Sequence, residues 1–161
     1  MRSFICAVVL GLMSFSAFAA EKWQIVEAPE GSGANWMASI SNAQGDQLGI
    51  WRKIVRIQFE AIGELVLKGG KLPKNAAIEY SIDGGQSVGL DVIEQKGNRI
   101  VWRVWSSTTN EIFDQDALWF MARGNEITFT WKDASEKAHK HTMSLSGSAK
   151  ALERIIAGSF Q

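Results

Sequence analysis

Residues 100–105 read Ile-Val-Trp-Arg-Val-Trp, and their side chains fall into two interleaved sets. The first, third and fifth residues form one set, and the second, fourth and sixth form the other. A period of two residues is typical of a β-strand, because successive side chains point to opposite faces of the sheet. The stretch predicts a strand with Trp102 on one face and Trp105, beside Arg103, on the other.

Other segments on both sides of this strand alternate in the same way. Residues 77–82 alternate before Asp83-Gly84-Gly85, and an Asp-Gly pair supplies the positive φ of a tight hairpin turn. Residues 54–59 also alternate and predict one continuous strand. Further strand segments are predicted at 23–26, 36–40, 48–51, 65–67, 88–93, 126–131 and 139–145. Short strands separated by frequent turns indicate a mainly β protein, an antiparallel β-sandwich or barrel-like sandwich.

Two segments break this alternation and predict short helices. The first covers about residues 112–122, with Asn110 or Asp114 as candidate N-cap. The second covers about residues 148–158, with Ser148 as candidate N-cap and an apolar stripe at helical spacing.

The first nineteen residues have the pattern of a secretory signal peptide. Residues 1–3 supply a positive start, residues 4–18 are almost all apolar, and Ala17-Phe18-Ala19 is a small-residue cleavage site. We expect cleavage after Ala19 and a single domain over residues 20–161 in the periplasm or outside the cell. The one cysteine, Cys6, precedes the cleavage site, so neither a lipid anchor nor a disulfide is expected in the mature chain.

The charge balance bears on the class of partner. Seventeen basic and seventeen acidic residues give a formal net charge of zero. A chain with no net positive charge and no basic cluster is not typical of a nucleic-acid-binding or membrane-binding protein.

The second half of the chain resembles the invasion-associated locus B family of secreted β-sandwich proteins. The resemblance covers residues 70–156 and is carried by Leu72-Pro73, by residues 78–85 (IEYSIDGG), by residues 116–125 (DALWFMARGN) and by residues 143–152 (MSLSGSAKAL). A periplasmic family associated with type VI secretion is similar in its last strand and helix. The resemblance implies the fold and the compartment, and it carries over no catalytic residue or cofactor. Members of the first family usually have cysteines in the domain, which this chain lacks.

His139 and His141 are the best candidates for a metal site. Residues two apart on a strand project from the same face, so their imidazoles could share a zinc or copper ion. A third ligand would come from Glu136, Asp133 or Glu126. The alternative is that both histidines lie on an ordinary strand face, because two histidines alone fall short of the usual ligand sets.

Paired carboxylates are the candidates for acid–base catalysis. Asp114 with Asp116, and Asp83 with Asp91, could serve a hydrolase if each pair faced a common cleft. Asp83 is more simply explained as a turn residue. Asp114 is more simply explained as a helix cap and Asp116 as a residue of the helix surface. The expected mature chain also has no cysteine that could serve as a nucleophile.

An exposed tryptophan beside an arginine is typical of a binding surface. Trp105 with Arg103, and Trp51 with Arg52, fit that description in the sequence. The alternative is that every tryptophan lies in the core, which is the expectation for Trp23, Trp102 and Trp131.

These observations lead to three functional hypotheses. The first is a non-enzymatic accessory or binding protein that recognises another envelope or secreted protein and needs no cofactor. The second is a module for a small ligand, a sugar or a metal, centred on Trp105 or on the two histidines. The third is a hydrolase that uses the paired carboxylates.

Overall fold

The computed structural model describes residues 22–56, 58–70, 72–106 and 112–157, with backbone only at residues 106 and 112–116. The predicted signal peptide, residues 1–19, lies outside these ranges. The strands are β1 (Gln24–Glu27), β2 (Trp36–Ser41), β3 (Gln47–Val55), β4 (Gln58–Val66), β5 (Glu79–Ile82), β6 (Val88–Gly89), β7 (Asp91–Lys96), β8 (Arg99–Ser106), β9 (Glu126–Lys132) and β10 (Ala138–Ser144). The helices are α1 (Ile112–Arg123) and α2 (Ser148–Ala157).

The strands form two antiparallel sheets, which confirms the predicted β-sandwich with two short helices. The six-stranded sheet has the order β1-β2-β3-β4-β8-β7, and the four-stranded sheet has the order β10-β9-β5-β6. The main core lies between them and contains residues of both sheets, such as Ile50 and Phe129, together with Met121 of α1 and Leu152 of α2.

The predicted strand over residues 54–59 is wrong, because the chain turns within it. Val55 ends β3, Gln58 begins β4, and the two residues pair with each other across a tight hairpin. Arg56 in this turn has a φ of 57°, a left-handed conformation that a strand residue does not adopt. Alternation of apolar and polar side chains therefore continued through a turn that carries no glycine or proline signal.

A β-bulge interrupts the alternation of β8. Arg103 pairs with Ile62 of β4, but Trp105 pairs with the adjacent residue, Ala61, so Val104 is the extra residue. One extra residue shifts every later side chain to the opposite face. Trp105 consequently lies on the inner face with Val104, not on the outer face with Arg103 as the sequence predicted.

The helices pack against each other and against the six-stranded sheet. α2 lies on β2 and β3, while α1 lies on β8. Ser148, predicted as the N-cap of the second helix, instead donates its hydroxyl to the carbonyl oxygen of Met121, 2.6 Å away near the end of α1. Among the described residues, neither helix has the length and apolarity needed to span a bilayer.

Candidate interaction surface

The four residues predicted to anchor a partner do not form one site. Arg52 and Trp105 lie on the inner face of the six-stranded sheet, where both contact Phe59. The Phe59 ring centroid lies 4.6 Å from that of Trp105 and 4.5 Å from the guanidinium carbon of Arg52. Trp105 is partly buried and packs against the main core. The outer-face position predicted for it was wrong because of the bulge.

Trp51 and Arg103 lie on the outer face of the same sheet, and neither is a free anchor. Trp51 is only 3 % exposed and packs in a small second cluster with Ile62. Arg103 is held by two carboxylates: its Nε lies 3.1 Å from Glu60 and its Nη1 lies 2.5 Å from Asp91. The expectation of an exposed Trp51 ring is therefore wrong.

The two histidines share a face of β10, as predicted, and both rings lie parallel to Trp131. Their centroids are 5.6 Å (His139) and 4.8 Å (His141) from that of Trp131. His139 Nε2 lies 2.8 Å from Asp133, one of the three residues predicted as a third ligand. His141 Nδ1 lies 2.7 Å from Asp46, a residue for which the sequence predicted no role.

Asp46 lies in the turn between β2 and β3, so its bond to His141 joins the two sheets. Burial alone raises the pKa of Asp46, but hydrogen bonds from His141 and from the Lys68 backbone N–H outweigh burial and lower that pKa. Asn42 adds a second link, because its amide lies 3.2 Å from Asp46 and 3.4 Å from the carbonyl oxygen of Thr142 in β10.

The candidate catalytic carboxylates Asp83 and Asp91 lie at different sheets, and among the described residues the histidines lack a set of metal ligands. In the described part of the chain, no three His, Cys, Asp or Glu side chains are grouped to hold a metal ion. Asp83 follows β5 in one sheet and accepts hydrogen bonds from the backbone N–H groups of Asn125 and Glu126. Asp91 begins β7 in the other sheet, bonded to Arg103. The side chains of Asp114 and Asp116 lie outside the described residues.

An exposed aromatic patch lies on α1, and we define it as Trp119, Phe120 and Arg123. Trp119 is 51 % exposed and Phe120 is 49 % exposed. Their rings meet edge to face with centroids 5.0 Å apart, and the Arg123 guanidinium carbon lies 4.3 Å above the Trp119 ring. The arrangement is the exposed tryptophan beside an arginine that is typical of a binding surface, but at residues other than those predicted.

The helical spacing of residues in α1 could have predicted this patch from the sequence. Residues four apart lie on the same side of a helix, and in α1 the buried residues Ala117 and Met121 have this spacing and mark the side that faces the core. Trp119 and Arg123 are also four residues apart but lie on another side of the helix. Two large aromatic residues beside each other cannot both share a narrow buried stripe, so at least one had to be exposed.

Comparison with known proteins places the chain by its fold. Its β-sandwich fold is similar to that of a solved bacterial protein, and the similarity extends over most of both chains. That structure is invasion associated protein b from Bartonella henselae, with a TM-score of 0.58, 16 % sequence identity, and coverage of 84 % of this chain and 92 % of the other. The predicted resemblance is thus confirmed at the level of the fold. No family model and no curated protein matches the chain.

Proposed function

We propose that this protein is a non-enzymatic accessory or binding protein that acts in the periplasm or outside the cell. It recognises another envelope or secreted protein through the exposed aromatic patch on α1. The signal-peptide pattern of residues 1–19 supports the compartment. The observation that carries the proposal is the exposure of Trp119 and Phe120 next to each other on a helix.

The composition of the patch is that of a protein-binding hot spot. Trp and Arg are among the residues whose truncation most weakens protein complexes, and aromatic residues are enriched in interfaces. The contact of Arg123 with the Trp119 ring restricts both side chains before a partner arrives. Such restriction reduces the conformational entropy that is lost on binding.

The fold comparison supports the same general role. The solved protein with this fold is named for an association with invasion. An accessory role for the present chain is consistent with that name, while the partner must be identified by experiment.

The test begins with a photo-crosslinking residue at position 119 in the full chain, expressed in cells, and the same residue at position 36 as the control. Trp36 is a matched site because it is also a partly exposed tryptophan, 41 % exposed, but on β2. We expect a protein partner to crosslink at position 119 and not at position 36.

The second step measures the affinity of the crosslinked partner, purified, for two variants. Trp119→Ala should weaken binding by about tenfold or more, the effect of losing a hot-spot side chain. Trp36→Ala should leave the affinity within about twofold. Equal crosslinking at both positions, or equal losses of affinity, would contradict the proposal.

A further inference from the structure

A groove of about 530 Å³ opens on the inner side of the six-stranded sheet, away from the α1 patch. It lies between the segment before β2, the end of β3, and α2, and its volume is within the range of small-molecule sites. Its lining residues are Gly33, Ala34, Asn35, Trp36, Arg52, Ile54 and Ile155.

Arg52 is the one ionised group among these lining residues. The others are apolar except Asn35, so the wall carries a single positive charge and no carboxylate. Within the described ranges, no acidic side chain forms an ion pair with Arg52. Its Nε is buried and has no hydrogen-bond partner there. A buried N–H without an acceptor is unfavourable, and on a cation more so.

Two contacts fix the guanidinium of Arg52 in place. Its Nη1 donates to the carbonyl oxygen of Ile156, 3.0 Å away in the last turn of α2, and its guanidinium carbon lies over the Phe59 ring. The first contact gives Arg52 a structural role, because it satisfies a carbonyl at the end of the helix. Neither contact supplies a negative charge, so the cation is positioned but not neutralised.

A second groove contains an arginine whose charge is neutralised by carboxylates of the protein. It measures about 380 Å³ on the outer face and is lined by Trp51, Arg99 and Glu94, among others. Arg99 there bonds to Glu94, 2.9 Å away, and to Glu64. The arginine of the outer groove therefore has its counter-ions within the protein, whereas Arg52 does not.

We propose that the inner groove binds a small carboxylate with an apolar body. The carboxylate pairs with Arg52, whose planar guanidinium matches carboxylate geometry. The apolar body lies against Trp36, Ile54 and Ile155. This site is separate from the α1 patch and does not depend on the proposed protein partner.

The test compares octanoate with octanol, which has the same chain length and no charge. Binding of each to the mature protein is followed by calorimetry and by the NMR signal of the Arg52 Nε–H group. We expect octanoate to bind at least about tenfold more tightly than octanol. The Arg52 signal should shift on addition of octanoate, with the Nε–H signals of Arg99 and Arg103 as internal references that do not.

Two variants of neighbouring residues then locate the site. Ile54 and Val55 are successive exposed residues of β3, 64 % and 37 % exposed, and they point to opposite faces of the sheet. Ile54→Glu places a negative charge at the groove and should weaken octanoate binding by about tenfold or more. Val55→Glu makes the same change of charge on the other face and should leave the affinity within about twofold.

Arg52→Gln should abolish the preference for octanoate over octanol. Because Arg52 also contacts α2, the thermal unfolding of this variant is measured beside its binding, and Ile54→Glu provides the result that does not depend on that contact. Equal binding of octanoate and octanol, no binding of octanoate at millimolar concentration, or equal effects of Ile54→Glu and Val55→Glu would overturn the proposal.

Discussion

The two sheets of the sandwich are joined in two different ways. The main core lies between them, where Ile50 of β3 and Phe129 of β9 lie together with Leu152 of α2. Elsewhere the turn between β2 and β3 reaches β10 through hydrogen bonds, with Asp46 on His141 and Asn42 on Thr142. The first junction is apolar and has no titratable group at its centre, whereas the second depends on charge.

Acidification should therefore weaken the second junction, and truncation of core side chains the first. Burial of apolar surface is insensitive to pH, while hydrogen bonds to a carboxylate stabilise the fold most when that carboxylate is ionised. Four substitutions separate the contributions.

The largest effect is expected at the apolar junction. Leu152→Ala removes a fully buried side chain of α2 and should lower the free energy of unfolding by about 2–5 kcal/mol. Glu153→Ala, the exposed next residue, is the control and should change it by less than about 0.5 kcal/mol. Urea unfolding of both variants at several pH values measures this. A loss at Leu152 that varies with pH would contradict the apolar character of the junction.

The next effect is expected at the polar junction. Asp46→Asn removes the charge that accepts hydrogen bonds from His141 and from the Lys68 N–H. A hydrogen bond to a charged group contributes about 1.5–3 kcal/mol, so a destabilisation of that order is expected near pH 6. Asn42 provides a comparison, because Asn42→Ala should also weaken this junction without removing a titrating group.

The pH dependence of this effect has a definite sign. The pKa of Asp46 is lower in the folded protein than its ordinary value of 3.8, so its contribution is complete above about pH 4. It is lost as the pH falls through the folded-state value, because the unfolded chain then binds the proton more readily. The difference in unfolding free energy between the wild type and Asp46→Asn should therefore shrink below pH 4. A constant difference down to pH 2 would show that the charge of Asp46 is not involved.

A smaller effect is expected where the two helices meet. The buried Ser148 hydroxyl donates to the carbonyl oxygen of Met121, one of the last carbonyls of α1. Such carbonyls have no partner within their own helix. Ser148→Ala leaves that oxygen without its donor and should cost about 1 kcal/mol. Thermal unfolding checks the value, with Ser146→Ala, an exposed neighbour, as the reference.

The smallest effect on stability is expected on the outer side of α1. Trp119→Ala removes a half-exposed side chain, and its contact with Arg123 contributes about 0.5–1 kcal/mol at an exposed site. The free energy of unfolding should therefore fall by no more than about 1 kcal/mol, while partner binding weakens by about tenfold or more. A decrease comparable with that of Leu152→Ala would assign Trp119 to the helix junction and remove the main support for the binding surface.

The sequence predicted those features that depend on neighbouring residues. Alternation predicted most of the strands, with the exception of residues 54–59, and its interruption predicted both helices. The two-residue spacing correctly placed His139 and His141 on one face. The Asp83-Gly84 turn has the expected positive φ values, 50° and 70°. All of these follow from backbone geometry over a few residues.

Features that depend on distant parts of the chain could not be predicted in the same way. Asp46 and His141 are 95 residues apart, and only the stacking of the sheets brings them together. The exposure of Trp119 depends on which side of α1 meets β8 and α2. The packed structure was therefore needed to show that Trp119, and not Trp105, is the exposed tryptophan beside an arginine.

The extra residue at Val104 also affects how relatives of this chain can be recognised. Before the bulge, odd-numbered residues of β8 face outward, and after it Trp105 faces inward. A homologue without the bulge would be one residue shorter here, and its inward aromatic residue would align with Val104 unless a gap were introduced. An ungapped alignment with such a chain would pair residues of opposite faces after Val104, so equivalent positions have to be taken from backbone superposition before substitutions are compared.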